Sequence, residues 1–183
     1  MTASSTHPRP TAAAPADRTD HADPALFRDA FRGHPAGLAV ITAAGPDGPV
    51  GLTASSVSSV SIDPPSLVFS LSGRTTAPLL AAAATVVVHL MDSGQADIVQ
   101  TFATPGTDRF TADQDWEWLP TGEPLLRRSP WSLRCRVAER LDVGSSRVVI
   151  AEVLEVLPGT AAGDPLVYHD RTYHRLGEDS TLS

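Results

Sequence analysis

Between residues 37 and 176 the chain runs through short β-branched stretches whose connections are mostly too brief to hold a crossover helix. These are "GLAVITA" (37–43), "VGLTASS" (50–56), "SLVFSLS" (66–72), "TVVVHL" (85–90), "SLRCRVAERL" (132–141), "SRVVIAEVLEVL" (146–157) and "PLVYHDRTYHRL" (165–176), the last folded about a turn. Parallel neighbours need a crossover of about a dozen residues or more, whereas a short turn joins antiparallel ones. The pattern predicts a mainly β chain with short helices, six or seven strands forming a small antiparallel barrel, and argues against a doubly wound parallel sheet. The "DPP" of Asp63–Pro65 marks a strand start, because proline cannot donate within a ladder.

Three short helices fit between the strands. "DPALFRDAF" offers Asp23 as N-cap and Pro24 at the first helical position. "TAPLLAAAA" (76–84) and "SGQADIVQTFA" (93–103) carry the helical spacing, the latter grouping Ile98, Val99 and Phe102. Residues 104–131 read as irregular, with Trp116 and Trp118 pinning the segment to the core or to a partner copy. The division expected is an N-terminal tail over 1–23, one domain over 24–177 and a short C-terminal tail over 178–183.

Charge narrows the function. The net charge is −7, every basic residue is an arginine, and no basic run exceeds Arg127-Arg128, so nothing resembles a phosphate-neutralising stripe for nucleic acid. No stretch reaches the apolar length of a membrane span and the N-terminus lacks the apolar core of a secretory signal, so the expectation is a cytoplasmic protein without a membrane partner. The single cysteine, Cys135, has Leu133 and Val137 two residues away on either side, which points it into the core of a strand. No Cys/His spacing suggests a metal, and no G-x-G-x-x-G or Walker motif is present. His89 ends an apolar strand and reads as a core histidine with its hydrogen bonds satisfied.

The stretch "GPVGLTASSVSSVSIDPPSLVFSLS" (48–72) is crowded with hydroxyls. A barrel strand turning its Thr/Ser side and backbone N–H groups outward presents convergent neutral donors, which suit a planar ring rich in carbonyl and nitrogen acceptors. "SGRTTA" (72–77), at a strand end before a helix, adds hydroxyls, helix amides and Arg74, a combination suited to phosphate. The same residues also suit an ordinary solvated sheet face followed by an ordinary helix start, and the residues alone leave both readings open.

Taken with "TTAPLL", "DRF" (108–110), "LRCRV", "VVIAEVLEV" and the closing "PLVYHDRTYHRL", the T-A-S-S…S-V-S-I-D-P-P segment at Thr53–Pro65 resembles the flavin reductase-like, FMN-binding split-barrel family, the reductase components of two-component flavin-dependent monooxygenases. The resemblance runs from about Phe27 to Leu176. It implies a six-stranded antiparallel split β-barrel of FMN-binding type that forms a homodimer. It also implies hydride transfer from NADH or NADPH to FMN, with FAD possible, and delivery of reduced flavin to a monooxygenase partner. By the resemblance, Thr53, Ala54, Ser55 and Ser56 line the flavin ring and ribityl chain, and Ser70, Leu71 and Ser72 continue that wall. Arg74, Thr75 and Thr76 hold the phosphate, Asp108, Arg109 and Phe110 close over flavin or nicotinamide, and Tyr173 sits by the site.

One place departs from the family pattern. Many members carry a G-D-H turn before the long strand, and this chain reads Gly144-Ser145-Ser146, placing Ser146 at the histidine position. Serine still donates a hydrogen bond but carries no charge. The substitution favours, as the alternative, a flavin-binding protein or pathway-specific flavoenzyme that does not use nicotinamide. Arg109, Arg147 and Arg171 are the candidates for a dinucleotide phosphate.

Overall fold

The computed structural model describes residues 21–160 and 163–182, so the expected N-terminal tail lies outside the described residues except for its last three positions. The chain is mainly β. In order it forms α1 (Pro24–Arg32), β1 (Ala36–Gly37), β2 (Ala39–Gly45), β3 (Gly48–Ala54), β4 (Ser58–Ile62), β5 (Pro65–Leu71), α2 (Thr76–Ala82), β6 (Thr85–Leu90), α3 (Ala96–Ala103), β7 (Trp116–Trp118), β8 (Pro124–Leu126), β9 (Trp131–Val143), β10 (Ser146–Pro158), β11 (Leu166–His169) and β12 (Thr172–Arg175). A large antiparallel sheet runs in the order β3-β2-β6-β9-β10-β5-β4, beside a three-stranded sheet β1-β11-β12 and the hairpin β7-β8.

The main sheet thus holds seven strands where the resemblance implies six. The strand not foreseen is β4, whose Val60 and Ile62 alternate with serines but stay exposed, and which folds back onto β5 across the Asp63–Pro64 turn, pairing Ser58 with Val68 and Ile62 with Pro65. Residues 104–131 are likewise more ordered than expected, since Trp116–Trp118 pairs with Pro124–Leu126.

The barrel interior is filled by alternate residues of its strands, among them Ile41, Leu67, Phe69, Val86, Val88, Cys135, Val149 and Ala151. Cys135 is fully enclosed, and burial pushes its thiol up to about 12. A second cluster forms on the other side of β2, where Val40 meets Ile98, Val99 and Phe102 of α3 together with Leu126 and Leu166. Strand β2 is therefore covered on both faces, which explains its continuous apolar run. His89 sits in that second layer with both ring nitrogens occupied, Nδ1 at 3.0 Å from the Val40 carbonyl and Nε2 accepting from the Leu126 N–H at 3.0 Å. Because Nε2 accepts, the proton of the neutral ring belongs on Nδ1. Burial lowers its pKa to about 4, the Val40 bond opposing that shift.

Trp116 anchors its hairpin as expected, its ring 4.8 Å from Phe110, 5.6 Å from Phe102 and 5.6 Å from His89, while Trp118 stays exposed. Two hairpins have the glycine or left-handed residues that tight turns demand. Gly144 opens the β9–β10 turn at φ 58°, and Asp170 and Arg171 form the β11–β12 turn at φ 46° and 61°, the pattern of a type I′ turn.

Candidate functional site

Strand β3 lies at one end of the main sheet, so only one of its edges is paired. The Gly51 carbonyl points to the unpaired side, where it accepts from Arg109 Nη1 at 2.9 Å. Backbone groups alternate along an antiparallel strand, which turns the Thr53 N–H and C=O to the same free edge. Gly51 is small for a packing reason: a Cβ there would come within 2.7 Å of the Phe102 ring and 3.1 Å of the Ile41 carbonyl. That close approach lets α3 lie against the strand, and the Thr53 hydroxyl completes the contact by donating to the Val99 carbonyl at 2.6 Å.

Beside this edge is a groove of about 390 Å³, lined by Thr53, Ser70, Ser72, Arg74, Thr75, Thr76 and Arg109, with Phe102 and the turn Pro105–Thr107 on its far side. Hydroxyls and two guanidinium groups face it, and no carboxylate among the described residues lines it. The donor set fits an electron-rich ligand bearing a phosphate, such as a flavin mononucleotide. Helix α2 spans seven residues and its N-cap Thr75 makes no side-chain capping bond, so the guanidinium and hydroxyls are the phosphate-seeking groups here.

Arg109 is tied down within this wall. Besides Gly51 it bonds the Thr104 carbonyl through Nη2 at 3.0 Å and approaches the Thr76 hydroxyl at 3.4 Å, with its guanidinium carbon 5.6 Å from the Phe102 ring centre. Its Nε is buried without a partner among the described residues, and burial lowers its pKa from the ordinary value. The neighbours in "DRF" go elsewhere: Asp108 is exposed, and Phe110, at φ 61°, packs edge-on against Phe102 at 5.1 Å.

The remaining residues singled out from sequence divide by geometry. Ala54 and Leu71 are buried in the barrel core, as the alternation along β3 and β5 requires, so only their backbone can serve a ligand. The Ser56 hydroxyl accepts from the Ser70 N–H at 2.9 Å and lies 3.3 Å from the Ser70 carbonyl. Pairing of β4 with β5 begins only at Ser58, so the Ser56 side chain stands in for a strand at Ser70 and bridges the split of the barrel. Ser55, Ser56 and Ser70 also line a second, larger hollow under α1. Tyr173 stacks near Tyr168, centroids 5.5 Å apart, and Tyr168 borders that same hollow; burial raises the Tyr173 pKa. Ser146 lines a third hollow, of about 340 Å³, which shares Gly73 and Ala77 with the flavin-sized groove. Arg147 beside it is bound bidentately by Asp142 at 2.6 and 3.1 Å, a contact that lowers the Asp142 pKa and raises that of the arginine.

Sequence reasoning missed the turn Pro105–Thr107 and Phe102 as groove walls, and missed α1 as the roof of the larger hollow. The glycine and proline of "TPGT" were the available signal for the first; nothing local signals the second.

The sequence profile of the flavin reductase like domain matches residues 31–177. This chain belongs to that family. Over 153 residues it is 38% identical to an NADH:FMN oxidoreductase of Rhodococcus erythropolis, covering 81% of this chain and 80% of that one. Among solved structures, a flavin reductase domain protein from Arthrobacter superposes with a TM-score of 0.78 at 32% identity, covering 84% of this chain and 95% of that one. The styrene monooxygenase flavin reductase from Pseudomonas putida S12 gives a TM-score of 0.72 at 26% identity, covering 82% and 97%. The flavin reductase match takes in β1 to β12, and with them the groove and the β-strand walls of both hollows, while most of α1 precedes the matched residues.

Proposed function

We propose that this chain is an NADH-dependent FMN reductase whose reduced flavin supplies a monooxygenase. The observation that carries the reading is the groove beside β3, with its free backbone edge at Thr53, its hydroxyls and its Arg74 end, and with no carboxylate among the described residues of its wall. Names borne by relatives support it: an NADH:FMN oxidoreductase and the reductase of a styrene monooxygenase.

When bound, FMN supplies the N5 atom that accepts a hydride from C4 of NADH. The protein's own part is binding and orientation. The outward N–H and C=O of Thr53 offer a donor and an acceptor to the rim of a planar ring. Ser70 and Ser72 offer hydroxyls along the polyol chain, and Arg74 with Thr75 and Thr76 holds a phosphate. Arg109 keeps the turn after α3 against the strand edge and thereby excludes water from one side. No nucleophile or general base is needed, in keeping with His89 and Cys135 being enclosed in the core.

NADH is the co-substrate proposed, as in the relative named an NADH:FMN oxidoreductase; of the three candidate arginines for a 2′-phosphate, Arg147 is engaged by Asp142 and Arg109 by backbone carbonyls. A homodimer is the assembly proposed. Its support is the solvent-facing side of β9 and β10, where Leu141, Val143 and Ile150 lie exposed on adjacent strands.

The deciding experiment mixes the purified protein anaerobically with FMN and NADH and follows the visible flavin band against a protein-free control. Rapid bleaching is expected. FMN binding without bleaching by NADH or NADPH would remove the reductase reading and leave a flavin-binding protein.

A further inference from the structure

A hollow of about 1070 Å³ lies between α1, the Ser55–Ser58 link and Tyr168. We infer that this hollow receives the adenosine diphosphate half of a dinucleotide, with Arg28 and Arg171 on the diphosphate and Phe27 and Phe31 against the purine. The inference rests on the flavin reductase reading and extends it to how the co-substrate is recognised.

Four observations meet here. The first is charge: in a chain of net charge −7, this concavity gathers Arg28, Arg32, His34 and Arg171 against, among the described residues, one carboxylate, Asp29. Arg32 is engaged by Asp29 at 3.5 Å and by Asp170 at 3.9 Å, while Arg28 and Arg171 have no ion-pair partner among the described residues. The Arg28 Nε donates to the Pro24 carbonyl at 3.2 Å, which leaves its two Nη groups, with the Arg171 guanidinium, to meet a diphosphate.

The second is the aromatic pair. Helix α1 buries none of its side chains, yet it carries two of the chain's five phenylalanines. Phe27 and Phe31 are 59% and 60% exposed with ring centres 4.8 Å apart, and both line the hollow. Aromatic faces left open beside cations are suited to a purine ring.

The third is rigidity. The Asp170 N–H donates to the Arg32 carbonyl at 3.0 Å, so the β11–β12 turn is fastened to the end of α1. That contact fixes Arg171 over the same opening as Arg28. The fourth is continuity: Ser70 lines both this hollow and the groove assigned to FMN, so one extended ligand can reach from the hollow to the groove.

An adenosine diphosphate group occurs in NADH and in FAD, and the experiment separates the two. With FMN saturating, Arg28→Ala should raise KM for NADH about tenfold or more, Arg28→Glu further, and Arg28→Lys less. Reduced nicotinamide mononucleotide, which lacks the adenylate, should not follow that charge order. If FAD is the source, the same order appears in FAD affinity relative to FMN while NADH kinetics stay put; either result supports the site. Equal effects on NADH and its mononucleotide, or Ala, Glu and Lys variants that cannot be told apart, would overturn it. A Phe31→Ala variant that alters sedimentation but not NADH kinetics would assign α1 to a second copy and overturn it as well. Should the wild-type protein fail to oxidise NADH, calorimetric titration of the FMN-loaded protein with ADP-ribose judges the hollow independently: binding weakened by Arg28→Glu sustains it, and no binding ends it.

Discussion

Arg109 Nη1 and the Gly51 carbonyl oxygen lie 2.9 Å apart across 58 residues of sequence, fastening the turn after α3 to the free edge of β3. One guanidinium also holds the Thr104 carbonyl, so a wall of the groove depends on a single fork of donors. Lysine presents a point charge and cannot reproduce that fork. Arg109→Lys is expected to lower stability by about 2 kcal/mol, the scale of hydrogen bonds to a charged group, and to weaken FMN binding together with it. Urea unfolding beside an FMN fluorescence titration checks both; unchanged midpoints would show that the turn holds without the fork.

Arg74 meets the solvent-open end of the groove with Thr75 and Thr76. Its removal should act on the phosphate and not on the ring. Arg74→Ala is expected to weaken FMN about tenfold while riboflavin, which has no phosphate, binds nearly as before. An equal loss for the two ligands would take Arg74 away from the phosphate.

His89 makes stability depend on pH. An unfolded histidine titrates at its ordinary value of 6.5, whereas the enclosed ring stays neutral down to about 4. Below pH 6.5 the unfolded chain therefore gains a proton that the native one refuses, so this contribution is complete above pH 6.5 and is lost progressively as pH falls toward 4. The total is about 3 kcal/mol. His89→Gln, which can still donate to Val40 and accept from Leu126, should flatten the slope of unfolding free energy over that window. An identical slope in the variant would mean other groups set it.

The exposed apolar side of β9 and β10 should matter only for assembly. Ile150→Lys or Leu141→Lys is expected to shift sedimentation toward the monomer. Sedimentation that ignores both changes would place the dimer contact elsewhere.

How far the sequence reached can be seen strand by strand. β5 announced itself by period-two burial at Leu67, Phe69 and Leu71, while β2 and β6, buried on both faces, did so by continuous apolar, β-branched runs. Ser58–Ile62 did not, since its alternating Val60 and Ile62 stay exposed and it takes its place by pairing with β5 across the turn. At the site, the hydroxyl types and Arg74 were legible as chemistry. Their division between a groove and a hollow was not, because Ser56 and Ser70 differ only in where the barrel splits. The hollow under α1 was invisible because Arg28 and Arg171, 143 positions apart, are brought to one hollow by the β1–β11 pairing and the Asp170–Arg32 contact.

Cys135, sealed in the barrel with its thiol pushed up to about 12, leaves the described surface without a reactive sulfur. Maleimides and other alkylating reagents should therefore pass the native fold by. A cysteine introduced at Thr107 or Glu155 would then be the one labelled position, and a fluorophore at the groove rim could report ligand entry without any background to subtract.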